Sequence, residues 1–106
     1  MANTGGFDHN FVVDGTGLRE HVRVSGPDGL TLVVRSGAPA VQLYDGAHFD
    51  ATMAGPDGQP YVCRGGLAIE PQNYPDAPNH PDFPDAVLRP GQEYRSVTQW
   101  LFVWAR

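Results

Sequence analysis

LREHVRVSGPDGLTLVVRS, residues 18–36, is two alternating apolar runs joined by GPDG at 26–29. The tetrapeptide carries its own turn chemistry. Pro27 presets φ, Asp28 tolerates the bend, and Gly29 accepts a positive φ. The flanking runs put Val22 and Val24 on one face and Arg23 on the other, the two-residue period of a half-buried strand. Residues 18–36 therefore predict a β-hairpin. The same reading extends outward, with short strands at NFVVD (10–14) and AVQLYDG (40–46). YVCRGGLAIEPQ (61–72) contains another that ends near Glu70. EYRSVTQWLFVWA (93–105) is the longest, rich in β-branched and aromatic residues. AGPDGQP (54–60) repeats the turn chemistry between different flanks, so it is a second turn rather than a repeat of the fold. No segment has a clear helical period. An all-β chain of about six strands is expected, in one domain spanning residues 1–106.

Composition supports this reading. The 106 residues include 13 Gly and 10 Pro, which favours short strands and turns. An apolar fraction of 41% is enough for a modest core and far from a disordered composition. Net charge is −5, and all seven basic residues are scattered arginines, so no phosphate-tracking surface forms and nucleic acid is not an expected partner. The absence of lysine excludes Schiff-base chemistry and a P-loop. No apolar run reaches the roughly 18–20 residues that span a bilayer, so no membrane partner is expected. The opening MANTGGFDHN has neither a charged n-region nor an apolar h-region, and a cytoplasmic protein is expected.

The chemistry-bearing residues each have a plain alternative. A single cysteine, Cys63, excludes an internal disulfide and reads as a half-buried strand residue before a catalytic thiol. His9, His21, His48 and His80 show no metal-ligand spacing, so a metal is not expected. Asp8 and His9 in GGFDHNF read first as an N-terminal turn. Gln42, inside AVQLY, points away from its apolar neighbours, towards solvent or a polar cleft. Trp100 and Trp104 share a strand face and read as core before a sugar-stacking platform. Glu70 closes an apolar run just before Pro71, which cannot donate to a ladder, an interruption that suits a site but also any edge strand. Residues 73–91 follow as a long loop pinned by Pro75, Pro78, Pro81, Pro84 and Pro90. Loops of that length are usually functional or disordered, and proline lowers the entropy of ordering them.

GFDHNF, VQLYDGAHFD, GLAIEPQNYPDAPNHPDFPDAVLRPGQEY and TQWLFVW, taken together and in this order, strongly resemble the C-terminal part of the aldose 1-epimerase (galactose mutarotase) family, from about Gly5 to Val103. The resemblance implies an antiparallel β-sandwich and a cofactor-independent interconversion of the anomers of a free aldose. It implies that Glu70 is the general base on the C1 hydroxyl. Asp8 and Gln42 would bind sugar hydroxyls, with His9 beside them. It also implies a missing partner. The histidine that protonates the ring oxygen, and a further histidine and arginine that help bind sugar, lie in an N-terminal portion of the family that these residues do not match.

Three readings follow. The first is a mutarotase-like isomerase acting on hexoses such as galactose or glucose. The second is a carbohydrate-binding module or relic using Asp8, Gln42 and Glu70 without proton transfer. The third is a small sandwich with a different carboxylate-based activity. A part of a larger sandwich exposes sheet edges, so completion by a homodimer or higher homo-oligomer is expected.

Overall fold

The computed structural model describes residues 6–105. It contains six strands: β1 Asp8–Val12, β2 Arg19–Ser25, β3 Leu30–Ser36, β4 Ala40–Tyr44, β5 Ala68–Gln72 and β6 Thr98–Trp104. They form two antiparallel sheets of three, ordered β1-β4-β5 (sheet A) and β2-β3-β6 (sheet B). Among the described residues the only helical element is a 3₁₀ turn at Ala77–Asn79.

The β2–β3 hairpin forms as its turn sequence requires. The Gly26 N–H donates to Leu30 O at 2.8 Å, and the Leu30 N–H donates to Asp28 Oδ1 at 3.1 Å. Gly29 takes φ 90°, a conformation that a side chain would strain. The second GPDG folds the same way. The Gly55 N–H donates to Gln59 O at 2.9 Å, the Gln59 N–H donates to Asp57 Oδ1 at 3.0 Å, and Gly58 has φ 79°. Identical local chemistry thus makes the same turn in two different surroundings.

β3 lies between β2 and β6, with seven consecutive pairs to β6 from Leu30↔Trp104 to Ser36↔Thr98. Its pairing with β2 slips between Glu20 and Val22, leaving His21 as the extra residue of a bulge. Both His21 ring nitrogens are buried without a hydrogen-bond partner of good geometry. Their burial, and next the charge of Arg19, lower the pKa of this histidine, while backbone groups of Ser36 and Ala38 partly offset the shift.

Two devices join the sheets. The β3–β4 connection carries the tightest packing, with Val34 and Ala40 fully buried and Val41 nearly so. Ser36, also fully buried, accepts through Oγ from the Ala38 N–H at 3.1 Å. The β1–β2 connection is gathered by Arg19. Its guanidinium donates to the carbonyls of Asp14, Gly17 and Val13, each at 2.8 Å.

The core is thin. Among the described residues Val33, Val34, Ala40, Val41 and Ala77 are the buried apolar ones, whereas every residue of β6 is exposed. The radius of gyration of 16.7 Å exceeds the roughly 13 Å of a compact 100-residue domain. Trp100 and Trp104, expected in the core, are 49% and 63% exposed, because β6 is an edge strand with little packed over it. Cys63 also departs from expectation. It lies exposed in a turn, its Sγ 3.4 Å from Ala47 O, because GGL after it defers the strand to Ala68.

Candidate functional site

Sheet A sorts its side chains by polarity. Residues directly opposite one another in an antiparallel sheet stand on the same face, and neighbours along a strand alternate. The register pairs Asn10 with Gln42 and Gln42 with Glu70. Asp8 pairs with Tyr44, and Tyr44 with Ala68. One face therefore carries Asp8, Asn10, Gln42, Tyr44, Glu70 and Gln72, together with Val12, Ala40 and Ala68. The other carries His9, Phe11, Val41, Leu43, Ile69 and Pro71. This apolar face turns towards sheet B: Phe11, Val41 and Leu43 share a cleft with His21 and Val22, and Ile69 shares one with Val24, Leu32 and Trp100.

The structure brings together three of the four residues singled out from sequence. The Gln42 side-chain N–H donates to Asp8 Oδ1 at 2.8 Å. Glu70 stands directly opposite Gln42, exposed at the sheet edge. No described side chain hydrogen-bonds its carboxylate, which leaves its oxygens open to an external donor. From the strand spacing and rise, the Asp8 and Glu70 Cα atoms lie about 12 Å apart, with Gln42 between. His9 is not in this group. It is on the opposite face, its Nδ1 accepting from the Asp8 N–H at 3.1 Å and its ring between Phe7 and Phe11. Strand alternation separates it from Asp8, so adjacency in sequence puts the two on different faces.

Two expectations about the flanking backbone also change. Asp8 and His9 belong to β1 rather than to a turn before it. β5 does not end at Glu70 but runs through Pro71, paired with Val41, to Gln72, paired with Ala40. Proline is tolerated because β5 is an edge strand whose outer side needs no donor.

The polar face contains members that sequence reasoning passed over. Gln72 donates from Nε2 to Gln42 Oε1 at 3.4 Å. Asn10 has a buried Nδ2 without a partner. Tyr44 stacks on His48, with ring centroids 5.8 Å apart, and its hydroxyl accepts from the His48 N–H at 3.1 Å. Period-two spacing from Glu70 points to Gln72, and from Asp8 to Asn10, once the strands are known to extend that far.

The loop after β5 is held by its own contacts. Phe83 packs edge-on to Tyr74, with centroids 5.0 Å apart, and stacks on His80 at 4.5 Å. His80 Nε2 lies 3.1 Å from Asp76 Oδ2, and Asn79 also bonds Asp76. These bonds, that from Asn79 foremost, lower the Asp76 pKa. Asp76 itself has φ 60°, tolerable for aspartate. Residues 74–83 of the proline-rich segment are thus held by contacts among themselves.

Among the described residues no cluster of three or more His, Cys, Asp or Glu side chains could hold a metal ion. No described helix is long and apolar enough to cross a membrane.

Two antiparallel sheets with acids and amides gathered on one open face define a β-sandwich protein with a carboxylate-bearing polar surface. The aldose 1-epimerase family profile matches residues 1–100, and the chain belongs to that family. It is 41% identical over 99 residues to galactose mutarotase of Mus musculus, covering 92% of this chain and 29% of that protein. It is 40% identical over 104 residues to aldose 1-epimerase of Escherichia coli strain K12, covering 92% and 30%. The fold is similar to the crystal structure of a GalM/aldose epimerase homologue from C. elegans, with TM-score 0.78 and 28% identity over 95% of this chain and 31% of that one. The chain thus spans about three-tenths of the length of these relatives and corresponds to their C-terminal part.

Proposed function

We propose that the polar face of sheet A binds a free hexose such as galactose or glucose, and that Glu70 is the general base for interconverting its anomers. The observation that carries this reading is the grouping of Asp8, Gln42 and Glu70 on one face: Asp8 is tied to Gln42 at 2.8 Å, and Glu70 stands open directly opposite Gln42. Asp8 and Glu70 accept from sugar hydroxyls, and Gln42 offers an amide N–H. Two carboxylates and a net charge of −5 favour a neutral sugar over a phosphorylated one.

In the proposed reaction Glu70 takes the proton of the C1 hydroxyl. The C1–O5 bond breaks as the C1 oxygen becomes a carbonyl, and O5 takes a proton from an acid. Rotation about C1–C2 exposes the other carbonyl face, and the reverse steps close the ring. A positioned base contributes about 10²–10⁴-fold. The acid on O5 comes from outside this group, since no described histidine shares the cross-strand line of Asn10, Gln42 and Glu70. That observation favours a second reading, hexose binding without turnover.

Polarimetry on fresh α-galactose separates the two. A rate above buffer that Glu70→Gln abolishes supports the base. Binding by calorimetry at the buffer rate supports the second reading, and absence of binding refutes both.

We also propose that a second copy covers β6. The other edges carry features that discourage pairing: Pro71 in β5, a bulge with Arg19, Glu20 and Arg23 in β2, and only five residues in β1. β6 has seven residues, no charge, no proline and an unbroken register. Antiparallel pairing of two β6 strands about Leu101 sets Trp100 opposite the partner's Phe102, a favourable cross-strand aromatic pair. A monomer of 11.5 kDa by light scattering at micromolar concentration would overturn this.

A further inference from the structure

We propose that Gln72 is a positioning residue that clamps the Gln42 amide in one orientation, so that Gln42 presents its free N–H to a bound sugar. The inference rests on the reading of this face as a sugar site, and it adds a residue to that site and a direction to one of its contacts.

A primary amide has two N–H donors and one carbonyl acceptor. Gln42 sits on β4, the central strand of sheet A, and is reached from both edges. From β1, Asp8 Oδ1 accepts one Gln42 N–H at 2.8 Å. From β5, Gln72 Nε2 donates to the Gln42 carbonyl at 3.4 Å. A carboxylate only accepts, so Asp8 selects the nitrogen end. Gln72 engages the oxygen end and opposes rotation of the amide. The second Gln42 N–H then remains for a ligand.

The face consequently offers acceptors at its two ends, Asp8 and Glu70, with a donor in the middle. A sugar matches this when two hydroxyls donate outwards while an oxygen between them accepts from Gln42. If the amide turned over, its carbonyl would face the Asp8 carboxylate, two acceptors without a proton between them. Holding one orientation before binding removes that alternative and lowers the ordering cost of the complex. Gln72 is half-buried and backed by Pro71, which restricts its own strand. It also borders a cleft with Tyr94, Arg95 and Val97, so a role in packing that loop must be distinguished from a role in holding Gln42.

Gln72→Glu is close to isosteric and replaces the donor with an acceptor. Gln72→Met removes hydrogen bonding altogether and serves if the charged variant does not fold. In the sugar-free chain, side-chain amide NMR resonances of Gln42 should shift in either variant while backbone resonances of sheet B stay in place. On titration with galactose the Kd should rise about 3–10-fold, as for one lost hydrogen bond. In a Gln42→Ala background neither variant should weaken binding further, because the clamp then holds nothing. Unchanged Gln42 amide resonances, or full additivity with Gln42→Ala, would overturn the proposal and leave Gln72 a packing residue. If the parent chain binds no galactose, the sugar reading and Gln72's role in it fail together, whereas sugar binding with an unmoved Gln42 amide defeats the clamp alone.

Discussion

Replacing Arg19 with methionine keeps the aliphatic stem and removes three hydrogen bonds at 2.8 Å that gather Val13, Asp14 and Gly17. This segment connects β1 of sheet A with β2 of sheet B, so its loss loosens the joint between the sheets. Two of the bonds are exposed, and the one to Val13 is partly buried. Weighting the exposed pair at about 0.5 kcal/mol each and the sheltered bond at about 1.5 kcal/mol gives a loss of about 2.5 kcal/mol. For a domain of this size that lowers Tm by roughly 10–20 °C. Arg19→Lys should recover less than half of the loss, because an ammonium cannot fork to three carbonyls as a planar guanidinium does. Circular dichroism melts of the three proteins at one concentration decide the matter. A Tm for Arg19→Met within about 2 °C of the parent, or full recovery by lysine, would refute the reasoning.

Stability should fall in mild acid. The folded pKa of His21 is lowered from 6.5 by burial and then by Arg19, so its contribution is present above 6.5 and is lost as pH falls below that towards the folded value. Urea midpoints should drop between pH 7.5 and 5.5, and His21→Gln should flatten that drop. Gly29→Ala should cost about 1–2 kcal/mol through strain at φ 90° alone, since the new Cβ would meet Ala105 at an ordinary 3.5 Å; a urea midpoint equal to the parent's would contradict this. Leu101→Lys, in the middle of the uncharged β6 edge, should abolish self-association and remove the concentration dependence of Tm. Persistence of the dimer by light scattering would place the contact elsewhere.

Local chemistry explains which parts of this fold are legible in the sequence. Pro27, Asp28 and Gly29 act within four residues of one another, so the β2–β3 hairpin can be read without knowing its surroundings. Period-two patterning likewise places Val22 and Val24, or Trp100 and Trp104, on common faces. Whether such a face is covered is decided by distant chain, and the exposed tryptophans show the limit of that inference. The site is harder still. Asp8, Gln42 and Glu70 meet only through pairings of strands more than twenty residues apart, which no local signal specifies. Family resemblance selected those three; it also brought in His9, which alternation puts on the reverse face. Gln72 was hidden because proline at 71 suggested the strand had stopped, and an edge strand has no such obligation.

The grouping on sheet A has a thermodynamic corollary. Its members come from three strands, and a slip of one residue in any pairing would send one of them to the apolar side. A ligand that bridges Asp8, Gln42 and Glu70 therefore binds only the correctly registered sheet, and mass action makes it a stabiliser of that register. Amide hydrogen exchange should slow across β1, β4 and β5 on saturation with sugar and change little across β2, β3 and β6. Occupancy of the site and alignment of sheet A are then two readings of one equilibrium.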